Sequence, residues 1–403
     1  MALVLVYMLF AILLNSVGTV ILQSIASFQV TKVEASLLEA FKDLSIAGAS
    51  LFLGALVPQF GYRRSMIAAL VVVALATMMQ VTLHSFRATE ILFAAVGIAF
   101  AATKISVYSS IALLTRTPAQ HASLTNTIEG MFMAGMLGGY WLYSAFIDRD
   151  NPGNLHWLDV YWVMTALCVL AILLLLVSPL DESPAKAAAE RTTVHGFSIM
   201  YRLVGRRLVC VFLVSAALYV LIEQGIGTWL PTFNREVLNL PNAMSVQAAS
   251  MFAAGLALGR LSAGIALRRI GWFALLMVCL AAMMVLLLLT LPLARDLVPD
   301  PRASWLHAPS AAYLIPLIGL FMAPIYPVIN STVLSGLPKD VHAPMTGLII
   351  VFSALGGTAG SRLMAIVFAH LGGQRAFYSA LVPMLALVAA LVLFKREIDR
   401  QDH

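Results

Sequence analysis

Long apolar segments follow one another along almost the whole chain, separated by short polar stretches. They cover approximately residues 3–27, 36–58, 65–84, 90–114, 123–146, 158–178, 209–233, 245–267, 272–292, 309–335, 343–369 and 376–394. Crossing a bilayer as a helix takes roughly 20 apolar residues, and each segment is about that long. The pattern therefore predicts an all-α integral membrane protein with twelve transmembrane helices.

Composition supports the same class. Hydrophobic residues make up 61% of the chain and charged residues 11%, whereas soluble domains average about 25% charged residues. The net charge of +6 comes from basic residues scattered over short loops, so we expect no nucleic-acid partner. The first apolar segment lacks a positive leader and is too long for a signal peptide, so we interpret it as a retained span.

One long hydrophilic segment, Ser178 to Leu208, divides the predicted spans six and six. We therefore predict an N-terminal six-helix bundle at 1–178, a cytoplasmic linker at 179–208 and a C-terminal six-helix bundle at 209–403. With both termini in the cytoplasm, the inner loops carry about twice as many basic residues as the outer loops, which obeys the positive-inside rule. We expect a multi-pass protein of a bacterial inner membrane.

The two halves repeat a glycine pattern after their second span. Gly54 and Gly61 precede Arg63 and Arg64, while the second half has Gly264 and Gly271 after Gly259 and Arg260. These loops resemble the signature of the major facilitator superfamily, G-x-L-x-D-R-x-G-R-[RK]. The resemblance implies two pseudo-symmetric six-helix bundles in which these eight residues form gate motifs. Pro58 and Arg268 replace the Asp that helps to latch the family's inner gate.

Within that superfamily, the second half resembles the fucose:proton symporter branch. The matching stretches are residues 219–229, 252–269 and 319–338, and Asn126 matches an Asn in the branch's fifth span. The first half lacks the acidic residues that the branch carries in spans one and four, so sugar specificity and proton coupling do not carry over. Looser likenesses link residues 135–139 to drug antiporters, and Lys104 and Glu129 to lysophospholipid transporters.

Charged residues inside the predicted spans point to a transport pathway. A charge at membrane depth costs about 3 kcal/mol even on the lenient insertion scale, so it normally faces a cavity or a partner. The in-span charges are Glu39, Lys42, Asp43, Lys104, Glu129, Glu223, Arg260 and Arg362. Spans three, six, nine and twelve carry none, and the superfamily resemblance implies that these four are peripheral.

Glu223 is the principal candidate for solute anchoring or proton coupling. It lies midway along the seventh span, and residues that loosen a helix, among them Gly225 and Pro231, follow it. The alternative is a structural Glu bonded to a neighbouring helix. The full set of substrate or proton-coupling candidates is Glu223, Gln224, Glu129, Asn126, Lys104, Asp43, Asn330, Trp229 and Tyr326.

Several candidates have a second interpretation. We expect Lys104 to pair with Glu129 or Asp43, because an unpaired ammonium at mid-membrane would lose its proton or cost several kcal/mol. Glu39 and Lys42 could form a local pair at the outer mouth. Trp229 and Tyr326 could stack on a ring of the solute or simply pack. We interpret Arg260 and Arg362 as structural.

The leading hypothesis is a secondary active transporter. It would move a small polar or anionic solute, sugar-like or an organic acid, by alternating access with proton coupling. The alternative is an exporter of drugs, siderophores or lysolipids by proton antiport. The chain lacks a P-loop, a G-x-S-x-G and an H-E-x-x-H, so we expect neither ATP hydrolysis nor an enzyme. We also expect a monomer that needs no cofactor or metal.

Overall fold

The computed structural model describes residues 1–148, 150–178, 182, 200, 202–295, 297, 304–338 and 341–400. Within these residues the regular structure is entirely helical. By length and composition, nine helices could cross a membrane, and a bent helix pair at the start of the chain gives a tenth. Two further long helices lie at the second and fifth predicted spans. The prediction of twelve helical spans is therefore confirmed.

The described residues form two compact units. The first lies within Met1–Val30 and Leu37–Val194, and the second within Thr31–Ser36 and His195–His403. Of the predicted 179–208 linker, the structure describes residues 182, 200 and 202–208, and a helix already begins at Arg207. The helices of the first unit are α1 (Ala2–Asn15), α2 (Val17–Ser27), α4 (Leu37–Phe60), α5 (Tyr62–Leu83), α6 (Phe86–Leu114), α7 (Pro118–Ala145) and α8 (Val160–Val177).

The second unit begins with a four-residue helix, α3 (Lys32–Ala35), which the chain visits between α2 and α4. Its other helices are α9 (Arg207–Glu236), α10 (Asn242–Leu267), α11 (Trp272–Thr290), α12 (Ala311–Leu314), α13 (Ile318–Met322), α14 (Ile325–Ser335), α15 (His342–Leu371), α16 (Gly373–Ser379) and α17 (Leu381–Asp399).

The first predicted span is broken rather than straight. α1 and α2 meet at Ser16 with a bend of 44°. At the bend, the Asn15 side chain donates to the carbonyl of Ala11 at 2.8 Å, and the Ser16 hydroxyl donates to the carbonyl of Leu13 at 2.8 Å. Polar side chains that bond nearby carbonyls compete with the helical ladder and often bend it. The bend therefore has a local cause in the sequence.

Proline breaks the tenth predicted span. The segment Ala311–Ser335 passes the length and composition test as one span, but it consists of α12, a 3₁₀ turn at Ile315–Leu317, α13 and α14. Pro316 lies in the turn and Pro324 caps α14. Proline has no backbone N–H to donate, so each one removes a hydrogen bond from the ladder.

Close backbone contact joins α9 and α15 in the second unit. A methyl group added at Gly356 would lie 2.2 Å from the carbonyl oxygen of Ala217, and one added at Gly360 would lie 2.1 Å from that of Leu221. Only glycine fits at such distances. Small residues of this kind are a common means of packing membrane helices closely.

Candidate functional site

Glu223 lies at the centre of a polar group in the second unit. It is half-buried on α9, and Tyr219, one turn earlier, donates its hydroxyl to the carboxylate at 3.1 Å. The ring of Tyr219 stacks on that of Tyr326 from α14, with 5.3 Å between centroids. Tyr326 in turn shares a hydrogen bond of 2.9 Å with Ser353 on α15. Side chains from three helices thus form this group, and the hydroxyl of Tyr219 binds the carboxylate.

Arg260 brings positive charge to the same group. This arginine of α10 and Glu223 both interact electrostatically with Tyr219, and each takes part in further interactions. The structural role of Arg260 stays a prediction, but this residue lies within electrostatic reach of Tyr219, which binds Glu223. The region contains a carboxylate, a guanidinium and tyrosine hydroxyls, which together can bind donors and acceptors of a polar solute.

The remaining candidates of the second unit have distinct surroundings. Gln224 is half-buried, and its amide oxygen accepts from Thr228 at 3.0 Å. The Asn330 amide oxygen is buried and has no hydrogen-bond partner among the described residues. Trp229 is fully buried, and its indole N–H donates to Ser361 at 3.1 Å. In this structure Trp229 therefore packs inside the unit.

Glu129 has a comparable environment in the first unit. It is half-buried on α7 and accepts hydrogen bonds from the hydroxyls of Tyr7, at 3.3 Å, and Tyr108. Lys104 is exposed on α6, with its ammonium 5.9 Å from the centroid of Phe100, and has further interactions of its own. Asn126 lies on α7 one turn before Glu129 and is exposed. In each unit a tyrosine hydroxyl thus reaches a mid-helix glutamate.

A second charged group of the first unit lies at the start of α4. Lys42 donates to Glu39 and lies 3.4 Å from Asp43, and all three side chains are buried. Tyr140 of α7 lies within electrostatic reach of Glu39 and Lys42. The predicted pair of Glu39 and Lys42 is confirmed, and Asp43 belongs to the same cluster.

The gate-motif residues of the first unit form the junction between two helices. Gly61 alone separates α4 from α5 and has a φ of 101°, a conformation that favours glycine. The next two residues differ. The Arg63 backbone N–H donates to Glu182 at 2.6 Å and its side chain to the carbonyl of Leu176, whereas Arg64 is exposed. Gly54 has open space around it.

The repeated motif of the second unit is built differently. A methyl group at Gly259 would lie 2.2 Å from the carbonyl oxygen of Leu320, so this glycine allows α10 to approach α13. Gly264 and Gly271 have open space around them, and the φ of Gly271 is −63°, which any residue adopts. The spacing of the glycines repeats between the units, but Gly61 requires glycine for its positive φ whereas Gly271 does not.

Arg362, on α15, binds the α3 segment. It donates to the backbone carbonyl of Val33 and lies 3.3 Å from the hydroxyl of Ser36. Lys32 forms a salt bridge of 3.0 Å with Glu236 at the end of α9. The interpretation of Arg362 as structural agrees with these contacts.

The sequence analysis did not predict the tyrosines that donate hydrogen bonds to Glu129 and Glu223. Tyr7 and Tyr219 are absent from the predicted candidates, because aromatic residues in apolar spans usually pack. For Tyr219 a signal exists, since a tyrosine four residues before a glutamate shares its helix face. For Tyr7 no local signal exists, because its partner is far away in the sequence. Among the described residues, no group of three or more His, Cys, Asp and Glu side chains could hold a metal ion.

Comparison with known proteins gives a consistent fold. No curated protein sequence matches the chain significantly. Among solved structures, a mutant of the nucleoside transporter NupG has a TM-score of 0.76 at 14% identity, covering 98% of both chains. A bacterial homolog of the human lysosomal transporter Spinster has a TM-score of 0.74 at 14% identity, covering 98% of this chain and 96% of that one.

A third similar structure is that of the fucose transporter FucP in the outward conformation, with a TM-score of 0.63 at 16% identity, covering 98% of this chain and 97% of that one. FucP is the fucose:proton symporter of E. coli. At such identities these likenesses establish the fold. The sequence itself matches the family model described as Major Facilitator Superfamily over residues 3–361. This chain therefore belongs to the major facilitator superfamily.

Proposed function

We propose that this protein is a secondary active transporter that moves a small polar or anionic solute, sugar-like or an organic acid, with proton coupling by alternating access. Membership of the superfamily makes it a membrane transporter and not an enzyme. The observation that carries the finer proposal is the polar group around Glu223. A membrane-spanning helix holds a half-buried carboxylate there, hydrogen-bonded to Tyr219 and close to the stacked Tyr326.

Two properties of this group support solute binding. First, hydroxyl groups and a stacked aromatic pair suit a solute that carries several hydrogen-bonding groups on a ring, because one surface offers both contact types. Second, Arg260 adds a cation, which allows an acidic group on the solute to be bound. The neighbouring nucleoside and fucose transporters also carry polar ring compounds according to their names, which agrees with such a solute.

Proton coupling rests on the carboxylates inside the membrane. A carboxylate that alternates between a polar and an apolar environment can take up and release a proton within a transport cycle. Glu223, Glu129 and Asp43 all lie in membrane helices. Of these, we assign the coupling role to Glu223, with the solute bound beside it.

The test uses the variant Glu223→Gln in proteoliposomes. The solute is first chosen from a panel of sugars, nucleosides and organic acids by its effect on the melting temperature of the purified protein. If Glu223 carries the proton, accumulation driven by a pH gradient should be abolished, while exchange of solute for solute remains. If Glu223 anchors the solute, both assays should weaken together.

The matched control is Asp399→Asn, which also removes a carboxylate but at the exposed end of α17. It should behave like the unmodified protein in both assays. A Glu223→Gln protein with unchanged binding, exchange and accumulation would show that Glu223 is structural, and the proposal would fail.

A further inference from the structure

Glu129 of the first unit has one carboxylate oxygen available to a ligand. The hydroxyls of Tyr7 and Tyr108 both donate to Oε1. Among the residues that the structure describes, Oε2 accepts no hydrogen bond. Glu129 lies in a membrane helix and is only half-buried. Because Oε2 is neither bonded nor fully buried, it can accept a hydrogen bond from a solute.

Aromatic rings surround this carboxylate. Between ring centroids, Tyr7 lies 4.8 Å from Phe132 and 6.1 Å from Phe100. The ring of Tyr108 meets that of Tyr7 edge-on at 6.2 Å. Phe132 and Tyr108 are half-buried, so part of each ring is open to a solute. Such rings can pack on an apolar body and attract an ammonium group to their faces.

Lys104 brings a positive charge to the same side of the first unit. Phe100, Lys104 and Tyr108 follow one another at intervals of four residues on α6, so they share one helix face. Both flanking residues reach α7. The Phe100 ring lies 6.4 Å from that of Phe132, and Tyr108 binds Glu129. Lys104 is exposed, and its ammonium lies 5.9 Å from the centroid of Phe100. The carboxylate and the ammonium therefore lie beside one aromatic group.

We infer that the first unit binds a zwitterion of the α-amino acid class, with its ammonium on Glu129, its carboxylate on Lys104 and an apolar or aromatic side chain against Phe132. A lone carboxylate selects cations and a lone ammonium selects anions, whereas the two together complement a molecule that carries both charges. Lys104 has further interactions of its own, which a solute carboxylate can join because an ammonium has three N–H donors. The inference names the solute class of the proposed transporter and rests on that function. Binding is measured without transport, so the two can fail separately.

The test compares three probes that share a phenyl ring, by calorimetric titration of the purified full-length protein at neutral pH. Phenylalanine carries both charges, phenethylamine only the ammonium and 3-phenylpropionate only the carboxylate. The unmodified protein should bind phenylalanine about tenfold more tightly than either analogue, because each missing charge removes a charge-assisted hydrogen bond. Equal or undetectable binding of the three probes would overturn the inference.

Two variants assign each charge of the solute to its side chain. Glu129→Gln should abolish the preference for phenylalanine over 3-phenylpropionate and keep the preference over phenethylamine, and Lys104→Gln should do the reverse. Because each variant must keep one preference while it loses the other, general unfolding cannot imitate this result. The controls Asp399→Asn and Lys395→Gln should keep both preferences. Lys395 is a matched control, since it is exposed and its ammonium lies 4.7 Å from the centroid of Phe273. Both preferences lost together, or both retained, in either site variant would overturn the inference.

Discussion

Lys104 lies on the same face of α6 as a residue that binds Glu129. Tyr108 donates its hydroxyl to Glu129, and it follows Lys104 by four residues, which places the two side chains one above the other. This placement favours Glu129 over Asp43 as the partner of Lys104. The pairing itself remains a prediction.

A double-mutant cycle tests this pairing. We expect Lys104→Ala and Glu129→Gln to be non-additive, since coupled neighbours deviate from the sum of their single effects by about 0.5–3 kcal/mol. Thermal unfolding of the purified single and double variants gives the coupling. As a control, Lys104→Ala combined with Asp399→Asn should be additive. Additive effects for Lys104 and Glu129 would leave Asp43 as the candidate partner.

For individual residues, the sequence predicted which charged side chains lie in the membrane helices, but it predicted only some of the side chains that they contact. Glu39 and Lys42 could be paired in advance because they are three residues apart on one helix face. The hydroxyl of Tyr7 could not be assigned to Glu129, because that contact depends on how α1 packs against α7. Local spacing predicts contacts within a helix, whereas contacts between helices require the fold.

The contact between α9 and α15 gives a prediction about packing between elements. Gly360→Val would place a side chain against the backbone of Leu221, where a methyl carbon would already lie 2.1 Å from an oxygen. Because forced overpacking typically costs about 1–3 kcal/mol, we expect a clear fall in melting temperature. Gly48→Val is the matched control, since nothing lies within 4 Å of a methyl group there.

Both proteins should be compared in the same detergent. Gly48→Val should stay close to the unmodified protein, so that any general effect of valine in a helix is accounted for. Equal melting temperatures for the two valine variants would contradict the backbone contact between α9 and α15.

The elements were predictable to different degrees. Hydropathy located the spans because each must supply about 20 apolar residues to the bilayer. It did not reveal the 44° bend at Ser16, because serine and asparagine within an apolar span can equally turn to a neighbouring helix. The breaks at Pro316 and Pro324 had a visible cause, yet hydropathy averages over proline and joined the pieces into one span.

The whole chain is not divided simply at its midpoint, since residues Thr31–Ser36 belong to the second unit. Contacts with Glu236 and Arg362 hold this short segment there. Nothing in its sequence distinguishes it from a loop between the first two spans. Its allocation depends on contacts across more than 200 residues of sequence, which pattern analysis cannot supply.

The stability of the segment Thr31–Ser36 should depend on pH, because its capping box contains the titratable carboxylate of Glu34. The Thr31 backbone N–H and hydroxyl both donate to Glu34 at 2.8 Å, and these bonds lower the pKa of Glu34 below its ordinary 4.5. A lowered folded-state pKa means that the stabilisation is present above pH 4.5 and is lost as the pH falls through the folded pKa. Glu34→Gln should remove this dependence.

Thiol labelling of a Val33→Cys variant measures the effect, with rates corrected by a cysteine-containing peptide at each pH. Labelling should accelerate below pH 4.5 in Val33→Cys but show no such step when Glu34→Gln is added. Arg362→Gln should accelerate labelling at neutral pH. If rates are identical with and without Glu34→Gln at every pH, the capping box does not order the segment.

Backbone contact at Gly356 and Gly360 leaves no layer of side chains along which α9 and α15 could slide. The hydrogen bond from Trp229 to Ser361 fastens the same two helices together. In mechanical terms α9 and α15 form one rigid lever, because neither helix can shift along the other. Glu223 on α9 and Arg362 on α15 should then move together. Because Arg362 contacts the α3 segment, a displacement of that segment would be transmitted undiminished to the Glu223 carboxylate.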